Sequence, residues 1–234
     1  MKIDNAIALV TGANRGIGLA FARELLARGA RKVYAGARDP ASVTLPGVEA
    51  IRLDVTRPED VAAAAAQAGD VTLVINNAGI GAPGGFLAAG SEEEARRVLE
   101  TNYFGVLRMS KAFAPVLAAQ GGGALLNVLS IASFINPGGL AAYAASKSAA
   151  WSLTNALRYE LAAQKTQVLA LHMAYVDTDL VKALEVPKTS PEEIVRRALD
   201  ALEDGLDEVL ADERTQMIKA GMTAARPSYL PPLA

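Results

Sequence analysis

Short apolar runs alternate with stretches of helical periodicity along the whole chain. AIALV (6–10), RKVYAG (31–36), VEAIRLDV (48–55), VTLVINN (71–77), ALLNVLS (124–130), TQVLALHM (166–173) and DEVLA (207–211) read as strands. Between them, apolar residues recur every three or four positions, the period of a helix with one buried face. Helices are expected over 16–28, with Ile17, Ala20, Phe21 and Leu25 on one face, over 58–68 behind Pro58, and from about 143 to 164. SPEEIVRRALDAL carries another over 190–202, with proline in its first turn. SEEEARRVLETNYFGVLRMSKAFAPVLAAQ (91–120) reads as one long helical stretch or two segments. Ser91 is its expected cap, with Glu94 three residues on, and Gly121-Gly122-Gly123 ends it.

Strands that are apolar throughout, each followed by a helix, imply a parallel sheet covered on both faces. The expected fold is therefore α/β: a doubly wound parallel sheet in three layers, one domain over residues 1–234. Its ligand should lie at the carboxyl ends of the strands.

Composition narrows the chemistry. At 234 residues, 51% hydrophobic and 21% charged, the chain suits one sizeable α/β core. A net charge of −2 offers no electrostatic reason to expect nucleic acid or an anionic membrane as partner. The absence of cysteine excludes thiolate chemistry and disulfides, and a single histidine excludes a multi-histidine metal site. No metal is expected. No window approaches the ~18 apolar residues of a membrane span. The N-terminus leads straight into a glycine loop, with no room for a signal peptide before it. A soluble, cytoplasmic protein is expected.

The loop TGANRGIG (11–18) follows the first strand, with Gly12, Gly16 and Gly18 spaced G-x-x-x-G-x-G. Glycines there permit a tight turn and let backbone N–H groups approach a pyrophosphate at a helix N-terminus. Asn14, Arg15 and Ile17 complete the candidate contacts. An NAD site usually has an acid at the end of the second strand. Here that stretch is YAGARD, with Ala37 and then Arg38. Guanidinium groups at Arg15 and Arg38 suit a 2′-phosphate, which favours NADP(H). Asp39 leaves NAD(H) possible, as a ribose partner, or it pairs with an arginine.

TGANRGIG, NNAG (76–79), TNYFG (101–105), Ser130 and YAASK (143–147) occur in the order of the short-chain dehydrogenase/reductase family. The chain resembles that family from its first strand to VDTD (176–179). The resemblance implies a Rossmann sheet, a nicotinamide cofactor and a catalytic tetrad of Asn102, Ser130, Tyr143 and Lys147. It implies that Asp54 bonds the adenine with Val55 contributing backbone, and that Asn77, Ala78 and Gly79 pass under the adenine ribose. Val176 and Thr178 would touch the nicotinamide carboxamide and phosphates, and Lys147 the nicotinamide ribose. It also implies a homo-oligomer, dimer or tetramer, that pairs the helices near 103–119 and 143–163. RPSYLPPLA (226–234) is expected to lie extended, against a neighbouring subunit.

The chemistry of YAASK also follows from its residues. Hydride transfer to a carbonyl carbon leaves charge on the oxygen, so a proton must arrive there. Tyr143 and Lys147 are four residues apart, which places them on one helix face. A nearby ammonium and a positive nicotinamide should lower the phenol from its usual value of about 10 toward working pH. Ser130 would bond the substrate oxygen, with Ser133 as its rival, and Asn102 would relay protons through water and Lys147. Ser146 and the sole histidine, His172, read as structural. Met173 and Ala174 stand where the family has Pro-Gly, which should reshape the pocket and set substrate size and face. Phe86, Ile131, Phe134, Met173, Ala174, Tyr175 and Leu180 are the pocket candidates, and their character suggests a hydrophobic ketone or aldehyde. The expected activity is that of an NADP(H)-dependent carbonyl reductase or alcohol dehydrogenase. The alternatives are a non-enzymatic dinucleotide-binding redox sensor and a sugar-nucleotide epimerase, which normally needs a substrate domain this chain lacks.

Overall fold

A computed structural model describes residues 1–182 and 184–231, apart from the side chain of Leu180. The strands are β1 (Ile7–Thr11), β2 (Lys32–Ala37), β3 (Glu49–Arg52), β4 (Leu73–Asn76), β5 (Ala124–Val128), β6 (Gln167–His172) and β7 (Glu208–Leu210). All pair in parallel, in the order β3-β2-β1-β4-β5-β6-β7. This is a single doubly wound Rossmann sheet. The winding reverses between β1 and β4, the point at which doubly wound sheets take their ligands, at the carboxyl ends of the strands.

Alternation along each strand splits the core in two, because successive side chains face opposite sides of a sheet. Ala8 and Val10 of β1 face α1 (Gly16–Ala27) and α6 (Pro191–Glu203), where Phe21, Leu25, Ile194 and Leu199 are buried. Ile7 and Leu9 face the other side. There Met109 and Phe113 of α4 (Gly105–Ala119) pack with Leu157 of α5 (Ala141–Glu160), and Val61 comes from α2 (Pro58–Gln67). Each large apolar side chain so buried contributes about 1.5–3 kcal/mol.

The 91–120 stretch is helical as expected, and three other local readings need correction. The 91–120 stretch is a continuous run of α3 (Ser91–Leu99), one π-helical turn (Glu100–Phe104) and α4. Ser91 does not cap it. Gly90 occupies the cap at φ 73°, a left-handed conformation that glycine adopts without strain, and the Ser91 hydroxyl instead donates to Phe86 O at 2.6 Å. A helix missing from the sequence reading, α7 (Glu213–Ala220), follows β7. Its ERTQMIKA sequence has no apolar stripe, but Asp212 caps it by accepting from Thr215 N at 2.8 Å. Finally, the segment after 226 is not extended where it is described. Ser228 folds back on the end of α7, donating from N to Gly221 O and from Oγ to Ile218 O. Pro232, Leu233 and Ala234 lie outside the described residues. Among the described residues no helix is long and apolar enough to cross a membrane.

Candidate active site

The glycine loop closes on the ends of β4 and β6. Gly12 and Gly16 have φ of 64° and 53°, which L side chains rarely adopt. A Cβ on Gly18 would lie 2.1 Å from Gly12 O and 2.6 Å from Asn77 Nδ2, so only glycine fits. Thr11 pins the same region: its hydroxyl accepts from Asn77 N and Ala78 N, both at 2.9 Å. Asn77 returns its amide to Thr11 O at 2.9 Å and Gly12 O at 3.2 Å. Thr178, after β6, lies against Gly16. The predicted residues Gly12, Gly16, Gly18, Asn77, Ala78 and Thr178 thus converge on one cradle. Asn14 lies in the same loop and Ile17 in the first turn of α1, both partly exposed, and Val176 is buried beside Thr178, in a parallel bridge with Thr189.

Arg15 crosses this cradle to pair with Asp179 at 3.2 Å, both side chains well exposed. Arg38 is exposed just past β2. Asp39 is not paired with an arginine in the described structure: its carboxylate caps the turn at Pro40–Ser42, accepting from Ala41 N at 3.0 Å. Asp54 accepts from Thr56 N and Thr56 Oγ1. Burial works against its charge, but those two bonds and the charges of Arg38 and Arg57 hold Asp54 below the usual carboxylate value.

The four residues expected to form a tetrad meet where β5, the π turn and α5 approach one another. Asn102 sits in the π turn and is buried. Such turns occur often at functional sites. Its Oδ1 accepts from Ile80 N, and its Nδ2 donates to Ile80 O and to Ser146 Oγ, each at 2.9 Å. Ser146 in turn donates to Tyr143 O at 2.7 Å. Asn102 therefore acts in this structure as a brace that ties the loop after β4 to α5, and both its amide hydrogens are used. Ser146, expected only to pack, is the link that the sequence reading missed. Lys147 is buried and donates to Val128 O at 2.8 Å, with Nζ 5.7 Å from the centre of the Tyr143 ring.

The protonation tendencies differ from expectation. Burial pushes the Tyr143 phenol up, and the neighbouring Ser130 hydroxyl pulls it partly back. Burial alone brings Lys147 down to about 8. The expected lowering of the phenol by this ammonium is absent, because Lys147 Nζ is turned to the Val128 carbonyl and desolvation outweighs it. Ser130, not Ser133, is the hydroxyl beside Tyr143. Ser130 Oγ accepts from Ala132 N at 3.1 Å and donates weakly to Met173 O at 3.5 Å. Ser133 is buried, with its carbonyl taking the Ser148 hydroxyl.

The pocket candidates divide. Ile131, Ala174 and Tyr175 are partly exposed near Ser130, and Arg214 lies over the Tyr175 ring at 5.2 Å. Phe86 is half exposed, on a loop joined to the start of α5 by Gly84 N to Gly139 O and Ala141 N to Gly84 O. Leu87 and Leu140 add exposed apolar surface on these two segments. Met173 is different: its side chain is buried in the α1/α6 core, so it offers the site a carbonyl and not the expected thioether. Phe134 is buried against His172 and Trp151. The Leu180 side chain lies outside the described residues.

Comparison with known proteins agrees with this geometry. Residues 6–188 match the family model for short chain dehydrogenases. The 3-oxoacyl-[acyl-carrier-protein] reductase FabG of Vibrio cholerae is 32% identical over 193 residues, 79% of each chain. Galactitol 2-dehydrogenase (L-tagatose-forming) of Cereibacter sphaeroides is 37% identical over 199 residues, 80% of this chain and 78% of that one. A short chain dehydrogenase from Burkholderia cenocepacia, solved in complex with NADP, is 42% identical. It superposes with a TM-score of 0.93, covering 97% of this chain and 96% of its own.

Proposed function

Since the chain belongs to the short chain dehydrogenase family, we propose that it is an NADP(H)-dependent oxidoreductase interconverting a hydrophobic ketone or aldehyde and its alcohol. The observation that carries this reading is the Tyr143 phenol beside the Ser130 hydroxyl, with Lys147 buried one helical turn on. The cradle fits a dinucleotide: Gly12 and Gly16 are left-handed, and the loop closes tightly onto α1 because Gly18 has no Cβ to strike Gly12 O. Gly12, Gly16, Gly18, Asn77, Ala78 and Thr178 would hold the cofactor, which supplies or accepts the hydride when bound.

The chain's own residues handle the proton. Tyr143 delivers its phenolic proton to the substrate oxygen as hydride reaches the carbonyl carbon, and takes it back in the oxidative direction. Ser130 donates a hydrogen bond to the same oxygen, where negative charge develops. Lys147, with a value near 8, is partly charged at working pH, and it favours the phenolate left behind once Nζ turns from Val128 O toward Tyr143. Asn102 and Ser146 keep α5 at the right depth through Ile80 O and Tyr143 O.

NADP(H) is favoured by Ala37 at the end of β2, by the exposed Arg38 beyond it, and by Asp39 being engaged as a turn cap. The Burkholderia cenocepacia relative in complex with NADP supports the same choice. The named relatives differ in substrate polarity, from an acyl carrier thioester to a sugar alcohol. Exposed Phe86, Leu87 and Leu140 favour the apolar class here. The test is oxidation of NADPH and NADH across linear, cyclic, aryl and polyhydroxy ketones. Apolar ketones with NADPH should turn over fastest. Arg38→Ala should raise the NADPH KM about 10- to 100-fold, the scale of one or two charge-assisted contacts, and spare NADH. Equal wild-type KM values for the two cofactors would overturn the NADP assignment.

A further inference from the structure

The one histidine of the chain is fully buried between two acceptors. His172 Nδ1 lies 3.1 Å from Ser130 O, and Nε2 faces the Glu208 carboxylate at 3.5 Å. A backbone carbonyl and a carboxylate both only accept. A neutral imidazole has one N–H and one lone pair. Whichever tautomer it chose, the lone pair would face one of these oxygens in a dry environment, at an electrostatic cost. Two N–H groups turn a proton toward both, hydrogen-bonded at Ser130 O and facing the carboxylate without a hydrogen bond at Nε2. The second contact is long for a hydrogen bond and reads as an ion pair in which charge, more than direction, holds the partners.

The ring is bordered by two aromatic side chains, one carboxylate and a second cation that shares them. Phe134 stacks on the imidazole with ring centres 4.4 Å apart, and Trp151 meets it edge-on at 6.0 Å. Lys219 of α7 bonds Glu208 at 3.2 Å and lies 4.4 Å from the centres of both the Phe134 and Trp151 rings. His172 and Lys219 together bring Glu208 down to about 2, so the carboxylate stays ionised near neutral pH. Glu208 from β7 and Lys219 from α7 are the charged groups facing this cluster. Both lie beyond residue 188, where the family match ends.

The other end of the ring touches the site. Ser130 O accepts from His172 and from Ser133 N, while Ser130 Oγ lies beside the Tyr143 phenol. The same C-terminal segment also fixes the strand that flanks Ser130: Asp212 Oδ2 accepts from Ala174 N at 2.7 Å, and Met173 O accepts from Ile131 N at 2.8 Å.

We propose that His172 is a positioning residue for the reaction: protonated on both ring nitrogens, it ties the Ser130 carbonyl to Glu208 and Lys219 and so holds the Ser130 hydroxyl beside Tyr143. Its catalytic consequence rests on the oxidoreductase reading, whereas its protonation state does not.

The test therefore has two arms. With one histidine in the chain, nitrogen NMR of histidine-labelled protein reports one ring. At pH 7.5 both ring nitrogens should carry protons; a ring with one lone pair overturns the proposal, whatever the activity. The second arm compares His172→Phe, which keeps the aromatic stack but loses the donor, with His172→Asn, whose amide nitrogen replaces Nδ1. The readouts are NADPH titration and turnover of the best ketone in the panel. His172→Phe should lower kcat about tenfold, roughly one lost hydrogen bond, with NADPH affinity and KM unchanged. His172→Asn should recover most of that loss. A packing role predicts the reverse order, and wild-type kcat in His172→Phe would also sink the idea. If neither variant folds, the NMR result decides alone. Failure of every ketone would count against the proposed function and leave that spectroscopic arm in force.

Discussion

The two halves of the sheet hold their functional groups by different means. On the β1–β4 side, the cradle is glycine backbone, left-handed at Gly12 and Gly16, locked by two short side chains, the Thr11 hydroxyl and the Asn77 amide, all within or next to short motifs. On the β5–β7 side, the proposed tetrad is held by side chains from distant segments, such as Asn102 to Ser146 and His172 to Ser130. The first half tolerates no added atom at its closest approach, because backbone cannot move aside. The second half tolerates shape changes better but depends on buried protons and charges. Binding should thus be damaged by adding a methyl group, and turnover by removing a polar atom.

The sharpest way to separate the halves is Tyr143→Phe. The ring and its packing remain, and the proton donor is lost. Turnover should fall ~100-fold or more, the usual scale for a missing general acid, while NADPH titration stays at the wild-type value. A weakened NADPH affinity as large as the kcat loss would merge the halves and break the comparison.

Gly18→Ala probes the other side. Its Cβ would meet Gly12 O at 2.1 Å and Asn77 Nδ2 at 2.6 Å, and the first of these is backbone. Overpacking of this kind costs about 1–3 kcal/mol. Roughly tenfold weaker NADPH binding and a lower Tm are expected. Unchanged values of both would show that the cradle yields after all.

The smallest effect concerns acid stability. Glu208 is depressed from 4.5 to about 2 by His172 first, with Lys219 adding to it. A carboxylate with a lowered folded value contributes stability that is present above its unfolded value of 4.5 and is lost as pH falls through the folded value near 2. Wild type should therefore exceed Glu208→Gln in urea stability above about pH 4.5. The gap should close steadily on acidification toward about 2. A gap independent of pH across that window would mean that Glu208 stabilises by packing alone.

Much of the fold was readable because its causes are local. Apolar runs and helical periods located all seven strands, and the loop TGANRGIG announced the turn that only glycine permits. Tyr143 and Lys147 were readable as a pair because a helix places residues four apart on one face. Ser91 was misread because a serine followed by Glu94 has the capping pattern, whereas the left-handed Gly90 took the cap. α7 was missed because its eight residues carry no apolar stripe and are held by the Asp212 cap and tertiary contacts.

The sequence by itself determined the doubly wound sheet and the glycine turn, because both rest on short-range spacing and backbone conformation, and its resemblance to the family nominated the proposed tetrad. Tertiary structure alone decided how those groups are held and charged. It turned Met173 into the core, Lys147 toward Val128 O and Asn102 onto Ser146, and it set His172 between Ser130 and Glu208. Partners that lie tens of residues apart leave no period in the chain, and a buried group's protonation depends on every neighbour that displaces its water.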